Sequence, residues 1–273
     1  MADSRWLDRA LQARRPLVMG ILNVTPDSFS DGGCFDAPAT ALARARAIRD
    51  EGADILDIGA ESTRPYGDSA PVSAEEEWAR LAETLPAAVS FGIPVSVDTM
   101  KATVAARALK AGAAMLNDVW GLQRDPDMAR VAAEHDVPVV VMHNRDSVDP
   151  DIDIMADIER FFERSLEIAA RAGLKPERIV LDPGIGFGKT PRQSIIAIAR
   201  LAELSLFGRP ILMGLSRKRF IDAVSPAPPL QRLAGSLAGN LAAVAAGAMI
   251  VRVHDVFETV QALKVRGAIE SER

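Results

Sequence analysis

Eight short segments of this 273-residue chain are followed by side chains that can bind an anionic, hydrogen-bonding ligand. In chain order these side chains are Asn23, residues 61–64, Asp98, Asn117 with Asp118, His143, Asp182, residues 216–218, and Arg252 with His254. Asp, Asn or Ser after a strand often only caps the next helix. Helix capping does not require carboxylates, amides, imidazoles and cations together. This mixture of groups is typical of a ligand site.

The segments before these side chains are short, apolar and rich in β-branched residues, and helical periodicity fills the gaps between them. They predict eight strands at 17–22, 54–58, 94–97, 114–117, 138–141, 179–181, 211–213 and 249–251. Eight successive βα units with no long linker favour a closed (β/α)8 TIM barrel over a doubly wound sheet. We therefore expect an α/β fold with a single domain over residues 1–273, whose active site lies at the C-terminal ends of the strands.

Helix boundaries are also marked in the sequence. Residues 73–76 form a capping-box pattern, and Thr190 is suited to begin a helix. Stop signals are given by glycines at positions 52, 112, 173 and 247.

Composition limits the classes of partner. The chain has 32 Lys and Arg against 37 Asp and Glu, a net charge of -5, which disfavours nucleic acid and anionic membrane surfaces. Its one cysteine, Cys34, excludes an internal disulfide and favours a cytoplasmic protein. The sequence shows neither a leader pattern at its start nor an apolar run long enough to cross a bilayer, so we expect neither.

Two loops stand out by composition. The segment NVTPDSFSDGG at 23–33 follows a strand and is long enough to act as a lid, although an ordinary βα loop remains the alternative. Cys34 beside it is better explained as a packed thiol than as a nucleophile, since no histidine is near it in sequence. The segment LDPGIGFGKT at 181–190 has neither dinucleotide nor Walker spacing, and its glycines would let backbone approach a planar ligand.

The chemistry of that ligand follows from the neighbouring charges. An ionised Asp182 can accept two parallel N–H bonds from a guanidine-like edge, as a 2-amino-4-oxo pterin offers. Lys218, Arg252 and His254 follow the seventh and eighth strands, where barrels commonly bind phosphate. Arg252 alternates with two valines, so its side chain should point into the barrel. The three histidines lack metal-ligand spacing, which disfavours a zinc site.

Seven strings in this order resemble the dihydropteroate synthase family from Leu17 to Val256. They are NVTPDSFSDGG, ESTRP at 61–65, SVDT at 96–99, LNDVWG at 116–121, LDPGIGFGKT, SRK at 216–218 and VRVHDV at 251–256. The resemblance implies a (β/α)8 barrel, a homodimer, and condensation of a dihydropterin pyrophosphate with p-aminobenzoate in folate biosynthesis.

The resemblance also assigns residues by group. It implies that the pterin is bound by Asp98, Asn117, Asp182 and Lys218, and that Arg252 stacks near the ring and the diphosphate. Met142 and Gly214 are also implied to bind substrate. It implies that pyrophosphate is bound by Asn23, Arg64 and His254, and that p-aminobenzoate is bordered by Thr63, Pro65, Phe187 and Lys218. Mg2+ is the implied cofactor, with Asn23 as its protein ligand and the remaining ligands supplied mostly by diphosphate oxygens and water.

The implied mechanism is dissociative: the bond to pyrophosphate breaks first, and the arylamine attacks the resulting pterin methyl cation. The catalytic set is Asp31, Arg64, Lys218, Arg252 and His254. The cations would stabilise the leaving group, and Asp31 would stabilise the carbocation after the first loop closes.

The sequence departs from the family pattern in three places. Residues 66–71 make the second loop about two residues longer, and Ala60 replaces a common Gly, which predicts altered sulfonamide sensitivity because sulfonamides mimic p-aminobenzoate. After His143, the segment NRDSVDPDIDIMADI lacks the family's usual Met- and Pro-containing loop. Two other functions remain open, a pterin-dependent methyltransferase and a catalytically silent pterin-binding protein. The methyltransferase would not need the motifs at 216–218 and 251–256.

Overall fold

The computed structural model describes residues 5–13, 15–25, 37–61 and 72–272. Eight parallel strands form one sheet. They are β1 Leu17–Asn23, β2 Ile55–Gly59, β3 Val95–Asp98, β4 Met115–Asp118, β5 Val139–Met142, β6 Ile179–Asp182, β7 Leu212–Met213 and β8 Ile250–Val253. All eight predicted strands are confirmed, and most of them begin about one residue later than predicted.

The sheet closes into a barrel. Its strand order is β6-β5-β4-β3-β2-β1-β8-β7, so β6 and β7 stand at the two ends of the ladder. A parallel bridge joins Leu181 to Ile211, and the Leu181 N–H donates to the Pro210 carbonyl over 2.9 Å. These contacts between the end strands confirm the predicted (β/α)8 barrel.

Helices connect the strands and cover the outside of the barrel. The α-helices are α1 Trp6–Gln12, α2 Ala37–Asp50, α3 Ala74–Val89, α4 Ala102–Lys110, α5 Met128–His135, α6 Ile154–Arg171, α7 Pro191–Ala199, α8 Arg219–Val224, α9 Leu233–Ala245 and α10 Val256–Ser271. Short 3-10 helices lie at Pro176–Arg178, Leu201–Phe207 and Pro229–Gln231. The Ser73 side chain caps α3 by accepting the Glu76 N–H, and Thr190 forms a full capping box with Gln193 at the start of α7.

The core has two parts. An inner cluster fills the N-terminal half of the barrel with side chains such as Leu17, Ile55 and Ile250, and Leu7 of α1 packs into it. The Trp6 indole also donates to the Ala114 carbonyl over 3.3 Å, just before β4. A larger cluster lies between the strands and the outer helices. Among the described residues, α1 packs against the N-terminal end of the barrel, opposite the end at which (β/α)8 barrels bind their ligands.

Within the described ranges, no helix is long and apolar enough to cross a membrane. The domain limits of 1–273 include residues outside those ranges, so that extent stays a prediction.

Candidate active site

A layer of polar side chains lies above the apolar filling, on strands that point them inward. Asp57 on β2, Asp98 on β3, Asn117 on β4 and Arg252 on β8 belong to it, and all but Arg252 are almost fully buried. Strand register places Asp98 beside Asn117 and Gly59, and Arg252 beside Met19. Because side chains alternate along a strand, these positions share the inner face with the apolar residues one layer below.

Arg252 is the centre of this layer. Its Nε donates to Asp57 Oδ2 over 2.6 Å and its Nη2 donates to Asp98 Oδ2 over 2.8 Å. Asn117 Nδ2 donates to the same Asp57 oxygen over 3.2 Å. The predicted inward direction of Arg252 is therefore confirmed. Asp57 was missed, since it lies within the strand rather than at its end.

Two charged side chains of this layer, Asp98 and Arg252, have pKa values raised above their ordinary values. Burial, together with the neighbouring Asp57 charge, raises the pKa of Asp98 to about 7 against the lowering effect of Arg252. Burial acts against the charge of Arg252, but Asp57 and Asp98 outweigh it and raise the pKa of the guanidinium. Among the described atoms, Asp57 Oδ1, Asp98 Oδ1 and Ser96 Oγ are buried without a hydrogen-bond partner. Two carboxylate oxygens thus retain acceptor capacity within the barrel.

Asp182 and Lys218 form a second group beside this layer. Asp182 ends β6, and its Oδ1 accepts the Gly184 N–H over 2.7 Å. A Cβ atom added to Gly214 would lie 3.6 Å from Lys218 Nζ and 4.0 Å from Asp182 Oδ2. Gly214 therefore keeps open the space between the two charges, which a flat ligand can use.

Lys218 is fixed by the loop after β6. Its Nζ donates to the Ile185 carbonyl and lies 4.8 Å from the centre of the Phe187 ring. Burial lowers the pKa of Lys218 to about 8, although Asp182 opposes the shift. Burial likewise raises the pKa of Asp182, against the effects of Lys218 and the Gly184 N–H. Met142, at the end of β5, pairs in register with Asp182 and is buried.

His254 and Asn23 lie near the same end of the barrel on other strands. His254 follows β8, and its Nδ1 lies 3.0 Å from Ser216 Oγ. It borders a cleft of about 410 Å³ that Arg44 and Arg217 also line. Arg217 pairs with Asp255 through two guanidinium nitrogens.

Asn23 ends β1 and faces the polar layer. A Cβ added to Gly59 would lie 3.7 Å from both Asn23 Oδ1 and Asp98 Oδ2, so these two oxygens border a gap that Gly59 leaves open. Hard oxygen donors of this kind suit Mg2+. Across the described ranges, no group of three or more His, Cys, Asp or Glu is placed to hold a metal ion.

Two polar side chains at strand ends, Asp118 and His143, do not face the interior of the barrel. His143 is buried, with Nε2 3.1 Å from Asp157 Oδ2 on α6 and Nδ1 2.6 Å from Lys189 Nζ. Asp118 accepts the backbone N–H groups of Trp120 and Leu122 and so shapes its own loop. Strand alternation explains both positions, because each follows an inward-pointing residue. The expectation that every strand end contributes a polar group to one rim is therefore wrong for the fifth strand, whose predicted group is His143, whereas the fourth strand contributes Asn117.

Glu61 has a local role at the base of the second loop. Its Oε1 accepts the Val72 N–H over 3.1 Å, and Lys101 Nζ donates to both Glu61 and the buried Glu77. These bonds tie the residues on either side of 62–71 to α3 and to the start of α4. The predicted site residues Asp31, Thr63, Arg64 and Pro65 lie outside the described residues, as does Cys34.

The segment after His143 is held by specific bonds despite its departure from the family pattern. Asn144 Nδ2 donates to the Val119 carbonyl over 3.0 Å, and the Asp149 carbonyl accepts Gln193 Nε2 over 2.7 Å. Asp153 caps α6 by accepting backbone N–H groups from its first turn. The segment is therefore connected to α7 as well as to the loop after β4.

The family model described as pterin binding enzyme matches residues 19–254. The dihydropteroate synthase of Bacillus subtilis is 46% identical over 93% of this chain and 89% of its own length. The chain belongs to the dihydropteroate synthase family. A dihydropteroate synthase structure from Clostridium difficile, in the presence of pteroic acid, is 47% identical with a TM-score of 0.90, covering 94% of this chain and 97% of the other. A Xanthomonas albilineans structure with 4-aminobenzoic acid is 43% identical with a TM-score of 0.90, covering 94% and 93%.

Proposed function

We propose that this protein is a transferase that condenses 6-hydroxymethyl-7,8-dihydropterin pyrophosphate with p-aminobenzoate, giving 7,8-dihydropteroate and pyrophosphate. The observation that carries the proposal is that Asp182 and Lys218 both border the space that Gly214 leaves open, beside a barrel layer organised by Arg252. The family relatives with pteroic acid and with 4-aminobenzoic acid support this choice of substrates.

The pterin is the substrate part that fits the buried layer. Asp182 accepts N–H bonds from its aminopyrimidine edge, while Lys218 and Asn117 supply donors to ring nitrogen and oxygen atoms. Asp98 supplies an acceptor, since its Oδ1 has no partner among the described atoms. Met142 borders the ring with apolar surface. A planar heterocycle bound in this way excludes water from the reacting methylene group.

The reaction proceeds by loss of the leaving group. The C–O bond breaks with its electron pair going to pyrophosphate, and the amine nitrogen of p-aminobenzoate then bonds to the methylene carbon and gives its proton to water. The negative charge that develops on pyrophosphate is stabilised by Arg252, His254 and Arg64. Asp31 stabilises the carbocation. Ion pairs with Asp57 and Asp98 fix the position of the Arg252 guanidinium before the substrate binds. No covalent bond to the protein is needed.

The p-aminobenzoate site lies above the pterin. Phe187, which contacts Lys218, supplies one wall. Thr63 and Pro65 supply the other side, an assignment that rests on the family resemblance. The longer segment at 66–71 and Ala60 at the start of this loop are the reasons to expect altered sulfonamide sensitivity.

Mg2+ is the proposed cofactor. Asn23 Oδ1 would hold it, together with oxygens of the pyrophosphate group and water. When bound, the ion supplies positive charge that makes pyrophosphate a better leaving group.

The assembly and location of the protein are part of the proposal. A homodimer is expected from the family resemblance, and Leu206, Val224 and Leu230 are large apolar side chains that the single chain leaves exposed. A cytoplasmic location is expected from the use of one cysteine in 273 residues. Sedimentation of the purified protein and fractionation of the source cells would test these two expectations.

The function is tested by giving purified protein the dihydropterin pyrophosphate and Mg2+, with and without p-aminobenzoate. We expect pyrophosphate release and a product with the mass of 7,8-dihydropteroate. Binding of the pterin without any release would overturn the proposal in favour of a silent binding protein. Methyl transfer from a methylated pterin to a corrinoid protein would favour the methyltransferase.

A further inference from the structure

Lys189 is a buried cation that none of the proposed catalytic steps uses. Only 1% of its surface is exposed. Its Nζ lies 2.6 Å from His143 Nδ1 and donates to the carbonyls of Gly184 over 2.9 Å and Phe187 over 3.1 Å. An ammonium group has three N–H donors, so this arrangement of three acceptors favours the protonated lysine.

The neighbouring histidine supports the same protonation state. Asp157 Oδ2 lies 3.1 Å from His143 Nε2 and also accepts Arg145 Nη1, so a proton on Nε2 gives a favourable bond to the carboxylate. His143 Nδ1 is then free to accept from Lys189. Burial and the Lys189 charge together lower the pKa of His143 to about 4, against the raising effect of Asp157, which keeps the imidazole neutral. A proton on Nδ1 instead would leave the Nε2 lone pair facing Asp157.

Lys189 also stands at the end of the loop that shapes the pterin site. Residues 183–188 include Gly184, Gly186 and Gly188, all at positive φ. Glycine adopts such conformations without imposing one of them, so the loop depends on external contacts for a single shape. Asp182 accepts the Gly184 N–H on one side and Lys218 donates to the Ile185 carbonyl on another. The hydrogen bonds from Lys189 Nζ to the Gly184 and Phe187 carbonyls are the third set of contacts.

We propose that Lys189 is a positioning residue for pterin binding, acting through the shape of the loop at 183–188 and through the charge it places near Asp182. The proposal rests on the proposed function, because it takes Asp182 as the carboxylate that receives the pterin. A buried carboxylate needs cations nearby to stay ionised. Lys189 favours the ionised form of Asp182, as do Lys218 and Arg252.

The charges around Lys189 and Asp182 set the expected pH dependence of pterin affinity. Burial lowers the pKa of Lys189 well below its ordinary value, Lys218 and Arg145 lower it too, and Asp182 and Asp157 oppose the shift. The three acceptors around Nζ are the geometric evidence that the amine is protonated. Removing the ammonium leaves Asp182 with Lys218 and Arg252 as its stabilising cations. The pKa of Asp182 should then rise, so that ionisation, and with it pterin affinity, is reached only at higher pH.

The test compares the full chain with Lys189→Met, which keeps most of the length of the unbranched side chain and removes the ammonium group. Arg178→Met is the matched control, because Arg178 is a buried cation paired with Asp8 and Asp136 at the opposite end of the barrel. Calorimetry with dihydropterin pyrophosphate and Mg2+, from pH 5.5 to 9, gives the affinity of each protein. Turnover at saturating p-aminobenzoate separates kcat from KM.

We expect Lys189→Met to lose pterin affinity at pH 7 by roughly tenfold. The midpoint of its affinity against pH should rise by on the order of one pH unit, as for the loss of a nearby opposite charge. The KM for the pterin should rise more than kcat falls, and Arg178→Met should keep the wild-type midpoint. Wild-type affinity and midpoint in a folded Lys189→Met would overturn the inference alone. Failure of the wild-type protein to bind the pterin would overturn the proposed function and the inference together.

If Lys189→Met does not fold, the protonation state of His143 in the wild-type protein tests the inference. The chain has three histidines, 135, 143 and 254, so nitrogen NMR of the rings can be assigned with His135→Gln and His254→Gln. We expect His143 to be neutral at pH 7 with its proton on Nε2. A proton on Nδ1, or a charged ring, is incompatible with donation from Lys189 and would overturn the inference.

Discussion

Arg252 and Asp57 form an ion pair across the barrel although they are 195 residues apart, with guanidinium Nε 2.6 Å from carboxylate Oδ2. Asp57 is fully buried, and its only described companions at this oxygen are Arg252 and Asn117. Nη2 of the same guanidinium donates to Asp98 Oδ2. This geometry fixes one proposed catalytic cation and one proposed pterin ligand relative to each other, so Asp57 supports both.

Replacing Asp57 with Asn should therefore impair the reaction although Asp57 is assigned no substrate contact. The variant keeps the shape of the side chain but leaves Arg252 with a weaker partner. We expect kcat/KM to fall about 100-fold, equal to about 2.7 kcal/mol of transition-state stabilisation. Steady-state kinetics measures the effect. Asp54→Asn is the control, because Asp54 pairs with the exposed Arg15 just before the same strand. Equal activity of both variants would contradict the role given to Asp57.

Asp57 also shows where inference from sequence stops. The positions of the eight strands could be predicted because each is a short and mostly apolar run, as strands buried on both faces require. A carboxylate within an apolar run is a signal for an inward polar group, but only the barrel register shows that it meets Arg252. Contacts over 195 residues depend on closure of the whole sheet.

His143 and Lys189 show a second limit. His143 follows a strand, as Asp98 and Asp182 end theirs, yet it lies on the outer side, because a shift of one residue reverses the direction of a side chain. Strand ends predicted to within one residue cannot settle that direction. The sequence shows Lys189 only as part of a glycine-rich motif. Its burial follows from the path of the loop over β5, which periodicity does not reveal.

Lys218→Ala should abolish most pterin binding while the fold survives. The side chain lies in the mouth rather than in the apolar core, and it donates to Ile185 and contacts Phe187. We expect at least about a 100-fold loss of kcat/KM with a cooperative thermal transition retained. Lys264→Ala is the control, since Lys264 is exposed on α10. Wild-type turnover in Lys218→Ala would remove the central residue of the proposed site.

The pKa of Asp98 predicts how stability depends on pH. Its ordinary value is about 3.9, and burial raises the pKa to about 7 in the folded protein. The folded state therefore binds this proton more tightly than the unfolded state, and the free energy of unfolding should fall as pH rises from about 4 to about 7. Burial also raises the pKa of Asp118 to about 6, which acts in the same direction.

The contribution of Asp98 is isolated by Asp98→Asn, which cannot titrate. Calorimetric unfolding at pH 5 and pH 7.5 should show a smaller loss of stability in the variant than in the wild type, by on the order of 1 kcal/mol or more. Asp118 remains in both proteins and cancels in the comparison. An identical pH dependence would show that Asp98 is already ionised at pH 5.

Asp31→Asn tests the proposed stabilisation of the carbocation. Asp31 lies outside the described residues, so this prediction rests on its place in the first-loop motif. A group that acts only on the cation should lower kcat strongly and leave pterin affinity nearly unchanged. Single-turnover kinetics and calorimetry give the two quantities separately. Comparable losses in both would assign Asp31 to substrate binding.

Gly184, in the loop after β6, should not tolerate a side chain. Its φ is 66°, and an added Cβ would lie 1.9 Å from the His143 carbonyl oxygen. Gly173 has a similar φ of 76° with nothing within 4 Å of an added Cβ. Gly173→Ala should therefore cost only the strain of the left-handed backbone, about 1 kcal/mol. Gly184→Ala should cost at least about 3 kcal/mol in urea unfolding, because the His143 backbone must also move. Equal costs would mean that the loop can shift away from β5, and pterin affinity in Gly184→Ala would then report whether that shift disturbs Asp182.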